Sequence, residues 1–194
     1  MIPLFPLHAV LFPGGPLPLR IFETRYTDMV RRCMREQTPF GVILIQDGDE
    51  AGEVATTATV GCTARIADFH MLQDGLLGIA CVGDRKFRVL RVWRAPDGLN
   101  MGEVAWLPPE ATLPLPADYA RLAATVRRAL TELSEQYANV EQKFDDAAWV
   151  GSRLSEILPI DLAEKQALLE LGNPLERLDT LLTIVPEKKE KKGD

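Results

Sequence analysis

Cysteine, histidine and serine are all scarce, and each shortage closes off a kind of chemistry. The three cysteines, Cys33, Cys62 and Cys81, are odd in number and nowhere form C-x-x-C. Neither a disulfide framework nor a zinc ribbon is therefore spelled out. Each cysteine has apolar neighbours, where a free thiol behaves as a small hydrophobe, as suits a reduced, cytoplasmic protein. His8 and His70 stand at no recognisable ligand spacing from Cys62 or Cys81, so no metal and no cofactor is expected. The three serines, Ser134, Ser152 and Ser155, fall in helical stretches without a nucleophile elbow, and no catalytic residue can be named. Glycine is nowhere followed by lysine, which removes the G-x-x-x-x-G-K-[ST] phosphate loop. No apolar run approaches the roughly 18–20 residues that span a bilayer. Prolines break every early run, so no leader h-region is read either.

A positive excess is missing as well. Against 22 basic residues stand 28 acidic ones, a net charge of −6. Up to Leu113 the balance is 11 basic to 13 acidic, and beyond it 11 to 15. Neither half offers the general attraction that nucleic acid or anionic lipid needs.

What is present is a chain of two periods. From Pro3 to Pro18, short apolar runs alternate with prolines, which suit sheet edges and turns because proline fixes φ and lacks an N–H. Phe40–Ile45, Thr56–Phe69, Gly75–Val82, Lys86–Trp93 and Met101–Leu107 are rich in the branched residues that strands favour. Gly83-Asp84 reads as a tight turn between two of them, and Asp97-Gly98 as a hairpin. Short strands at this spacing predict a closed or nearly closed barrel. One helix interrupts them, with Phe22, Tyr26, Met29, Val30 and Cys33 at three- and four-residue intervals. Glu23 suits the positive end of its dipole, with Arg25 as a local partner.

After the proline-rich joint at 108–116 the period becomes helical. Leu122, Val126, Ala129, Leu130, Leu133 and Tyr137 mark one long helix, and residues 145–158 a second. Asp161 and Asn173 each precede a glutamate by three positions, the signature of a capped helix start. Pro174 fits the first helical position, and Gly172 a left-handed stop. The division predicted is a β-rich part over residues 1–113, a helical part over 114–186, and a charged, disordered tail over 187–194.

The run Leu17-Pro18-Leu19-Arg20-Ile21-Phe22-Glu23-Thr24-Arg25-Tyr26 resembles the start of the Lon protease N-terminal, substrate-binding domain. Gly83 to Val89 and Lys165 to Glu170 are similar to the same family. The resemblance implies an α+β fold: a PUA-like, mainly antiparallel β-barrel with one packed helix, followed by an α-helical bundle. It also implies a non-catalytic, stand-alone module that binds unfolded or apolar polypeptide segments or a protein partner, such as a protease or chaperone. The ATPase and serine–lysine peptidase motifs of full Lon proteases are absent from the sequence, so neither activity is expected.

Phe12, Leu17 and Trp106 are the candidate contact surface, since a proline-stiffened apolar loop costs little to order on binding. The opposing expectation is that they plug the barrel. The rival function is RNA binding through Arg85, Lys86, Arg88, Arg91 and Arg94, interleaved with Phe87 and Trp93. In a regular strand these cations are split between the two faces unless a bulge shifts the phase.

Overall fold

The computed structural model describes residues 1–48 and 56–185. The expected tail at 187–194 lies outside the described residues.

Among the described residues seven strands are formed: β1 (Ile2–Leu7), β2 (Pro16–Ile21), β3 (Phe40–Asp47), β4 (Thr56–Thr57), β5 (Val60–Met71), β6 (Leu77–Arg94) and β7 (Asn100–Trp106). Pairing runs β1–β7–β6–β5–β3–β4 and β1 also pairs with β3, so the neighbours close a ring. All of these pairings are antiparallel except β1–β3. Ile2, Leu4, Ile43 and Phe87 form one core cluster. A Cβ on Gly41 of β3 would lie 2.8 Å from the Phe87 ring, which belongs to a strand two places away. Such an approach is possible only on the inward face of a narrow ring, and glycine permits it.

The outward face carries a second core under α1 (Thr24–Glu36). Tyr26, Met29, Val30 and Cys33 are buried there against Phe5, Phe40, Val42 and Ile79, with Tyr26 stacked on Phe5 at 3.9 Å. Arg25 pairs with Glu23 at 2.8 Å and donates to the Gly98 carbonyl, tying the helix start to the β6–β7 turn. Phe22 does not join the stripe. It precedes the N-cap Glu23, outside the helical period, and points away from the core.

Gly83-Asp84 is not a turn; both residues lie inside the eighteen-residue β6. β2 pairs β6 only as far as Val82 and β7 only from Phe87. The loop at 12–15 fills the gap, with Gly14 N–H to the Gly83 carbonyl at 2.7 Å and Gly83 N–H to the Gly15 carbonyl at 2.8 Å. A Cβ on Gly83 would meet the Phe12 carbonyl oxygen at 2.1 Å. Gly83→Ala should therefore cost about 1–3 kcal/mol by overpacking, read as a lower urea midpoint at unchanged slope.

The second half contributes α2 (Ala120–Glu132), α3 (Ala147–Ile157), α4 (Leu162–Glu170) and α5 (Pro174–Ile184). Leu122, Val126, Leu130, Val150, Leu154, Leu178 and Leu181 share a third core. α2 ends before Ser134 and Tyr137, which follow in turns, so the long helix expected there is shorter. Asp146 caps α3, Asp161 forms a full capping box with Glu164, and Asn173 caps α5 with Pro174 behind it. Gly172 does not supply a left-handed stop to α4; it is not among the positive-φ residues. Buried cations take the terminal carbonyls instead, as described next.

Candidate functional site

The three expected contact residues do not converge. Phe12 is 0% exposed and belongs to the helical core, with the Arg177 guanidinium 6.0 Å from its ring centre. It is therefore unavailable as a contact surface, because the helices close over its loop. Leu17 is half-buried against the α1 core and lines a 650 Å³ groove with Pro16, Pro18, His70, Glu132 and Glu135. Trp106 lies apart, 44% exposed, edge-on to Phe87 and covered by Arg85 at 5.0 Å.

A different apolar cleft forms where α1 meets the ends of β5 and β6. Phe22, Phe69 and Met71 are 63%, 56% and 70% exposed, and all three line one cleft of 380 Å³ with Ile21, Val30 and Leu77. Phe69 and Met71 stand opposite Ile79 and Leu77 in the ladder, so they continue the core beyond the reach of α1. A second hollow of 480 Å³ shares Met34 and Phe69 and runs on past Thr38 and Ile66. Ion pairs flank the helix and hairpin, Arg31 with Asp28 at 3.2 Å and Arg20 with Asp74. These charges neutralise one another. Sequence reasoning missed this cleft because it assigned Phe22 to the inward stripe; its place before the helix cap was the available signal.

The buried ion pairs are tied to the fold's own carbonyls. Glu110 accepts from Arg177 Nη1 at 2.7 Å and Nη2 at 2.6 Å, and from Lys86 Nζ at 2.6 Å. Lys86 also donates to the carbonyls of Leu169 and Leu171, and Arg177 to those of Leu168 and Leu171. These carbonyls end α4, so the two cations replace the left-handed cap. Burial alone would raise the Glu110 pKa, but Arg177 and Lys86 outweigh it and hold the carboxyl below its ordinary value. Arg153 pairs with Glu156 at 2.7 Å and donates to the Pro13 carbonyl at 2.9 Å, locking the loop at 12–15 to α3. Burial pushes the Cys81 thiol up to about 12 and raises Cys62 further still, opposite to what a nucleophile needs. Ser155 donates within its own helix to the Gly151 carbonyl. Among the described residues no cluster of histidine, cysteine, aspartate and glutamate could hold a metal ion, and no helix is long and apolar enough to cross a membrane.

With ring, helices and cleft in place, comparison with known proteins identifies the family. The model for the ATP-dependent protease La (LON) substrate-binding domain matches residues 1–187, and the chain belongs to that family. A crystal structure of a Lon N-terminal domain protein from Xanthomonas campestris is 40% identical and superposes with a TM-score of 0.78, over 95% of this chain and 98% of that one. Protein cereblon of Gallus gallus is 29% identical over 132 residues, 66% of this chain and 28% of that protein. Lon protease of Anaeromyxobacter dehalogenans (strain 2CP-C) is 21% identical over 197 residues, 98% of this chain and 23% of that protein. The chain thus spans about a quarter of the length of these curated relatives.

Proposed function

We propose that the protein is a non-catalytic recognition module that takes extended apolar segments of other polypeptides into the cleft along α1. The observation that carries this reading is the convergence of Phe22, Phe69 and Met71, all exposed, on one cleft. Exposed apolar side chains gathered in one patch mark a binding surface, and methionine adapts to varied partners. From Thr27 to Met34 the lined face of α1 is about 10 Å long, room for about three extended residues. With the neighbouring charges already paired, selection rests on apolar burial rather than on sign. Membership of a substrate-binding family supports the same reading.

Within this reading the ring is a PUA-like barrel over residues 1–113, and α2–α5 form a helical bundle over 114–186. The working partner is an unfolded polypeptide, delivered in turn to a protease or chaperone, in the reducing cytoplasm that three unpaired cysteines suit.

The test is fluorescence anisotropy with a labelled, leucine- and phenylalanine-rich unfolded dodecapeptide. Full burial of one such aromatic contributes about 1.5–3 kcal/mol, so Phe22→Asp with Phe69→Asp should weaken binding at least about tenfold. Both residues are exposed, and the melting temperature should hold. Unchanged affinity in the double variant would remove the cleft from consideration.

A further inference from the structure

We propose that the outward face of the β6–β7 hairpin docks an acidic segment of a partner polypeptide through Arg88, Leu90 and Arg91. The surface is separate from the α1 cleft and does not rest on that reading. Arg88 and Arg91 differ by three positions, so a regular strand would send them to opposite faces. The ladder contains a bulge between Val89 and Arg91, with Arg88 opposite Ala105 and Arg91 opposite Glu103. Ala105 and Glu103 are two apart and share a face. The bulge therefore brings both guanidinium groups to the same outward side and leaves Leu90, the inserted residue, 61% exposed between them. Bulges re-aim side chains in this way where a sheet presents a site.

Arg88 and Arg91 are exposed, and among the described residues neither is within ion-pair distance of a carboxylate. Glu103 is the acid that register places on their side, and it makes no such pair. Arg91 instead leans over Trp93, 5.9 Å from the ring centre. At one end of this face Met101 is packed against the α1 core. At the other Lys86 is buried beneath the helical half by Glu110 and the α4 carbonyls. The stretch between is left uncovered. Two unpaired cations flanking one aliphatic side chain match an acid–apolar–acid segment, with each arginine able to grip a carboxylate by two N–H groups.

Nucleic acid fits the same face less well. Phosphates gain nothing from an exposed leucine, and Lys86 is withdrawn from the row of cations.

The test uses the full chain and three labelled probes read by anisotropy: a (Glu-Leu-Glu-Gly)₃ peptide, its lysine counterpart, and a twelve-residue uridine oligonucleotide. The acidic peptide should bind saturably at low salt and weaken as salt rises. Arg88→Glu with Arg91→Glu should reduce its affinity at least about tenfold, and Leu90→Ala several-fold, with the circular dichroism spectrum unchanged. The neutral pair Arg88→Gln and Arg91→Gln gives the same comparison with a smaller loss. Phe22→Asp with Phe69→Asp should leave acidic-peptide binding intact, which separates this surface from the cleft. No binding at high micromolar peptide in low salt, or undiminished binding after charge reversal, overturns the proposal. Tighter, Arg88- and Arg91-dependent binding of the oligonucleotide also overturns it and assigns the face to nucleic acid.

Discussion

The Glu110→Gln protein is expected to unfold with about 3–5 kcal/mol less stability than the wild type, a fall of roughly 6–20 °C in Tm for a chain of this size. Lys86 and Arg177 are both buried, and Glu110 is the carboxylate that answers them. Glutamine keeps the shape but removes the charge, leaving two cations in the interior with only neutral acceptors, backbone carbonyls and the Ser152 hydroxyl, for partners. The exposed pair Arg31–Asp28 offers the contrast: removing Asp28 should change stability by less than about 1 kcal/mol. Acid should act on the same trio. Because the folded-state pKa of Glu110 lies below its ordinary value, its stabilisation is complete above the unfolded carboxylate pKa. It drains away as pH falls through the folded value. Glu156 has the opposite sign, since burial raises its pKa despite Arg153, and the fold takes up that proton before the unfolded chain does. Urea midpoints measured from neutral pH downward should therefore converge for wild type and Glu110→Gln. Parallel curves would show that Glu110 is not the titrating tie.

Phe12→Ala should cost about 3–5 kcal/mol, comparable in size but different in origin. The ring is fully buried against residues of α2, α3 and α5, and its loop is hydrogen-bonded both to Gly83 and to Arg153. Truncation leaves a cavity that these rigid neighbours cannot close. Chemical denaturation gives the loss. Under conditions where both proteins remain folded, the dodecapeptide should bind them equally, because Phe12 does not line the cleft. A weakened affinity with undiminished stability would restore Phe12 as a contact residue.

Phe12 and Phe22 also mark how far the sequence could be read. Runs of branched residues located most of the strands, though they split β6 in two, periodicity located α1, and capping spacing the starts at Asp161 and Asn173, since each depends on neighbours within a few positions. Phe22 was assigned to the buried stripe and is exposed, while Phe12, left between contact surface and barrel plug, is buried, because burial is decided by what arrives from elsewhere. Helices from beyond residue 114 cover the proline loop, while nothing covers the residue before the α1 cap. Gly83-Asp84 carries the local chemistry of a turn, yet the loop at 12–15 pairs with it and keeps it extended. Gly172 was offered as a helix stop when the real stop is Lys86 and Arg177, one of them 85 residues away from Leu171. Of the three candidate contact residues, Leu17 lines a groove, while Phe12 is buried and Trp106 lies apart. The cleft at Phe22, Phe69 and Met71 was hidden because its sides come from elements far apart along the chain. The Leu90 bulge could be named only as a condition, since no residue type announces it.

The grip of Lys86 and Arg177 on the carbonyls at 168–171 has a bearing on biosynthesis. While the ribosome is still making α2, a lysine already delivered to the sheet has Glu110 but none of its later acceptors. The lysine gains those acceptors only after residues 169 and 171 emerge, so a fragment cut near residue 113 would keep its strands but lay bare to proteases the seam that α2–α5 cover.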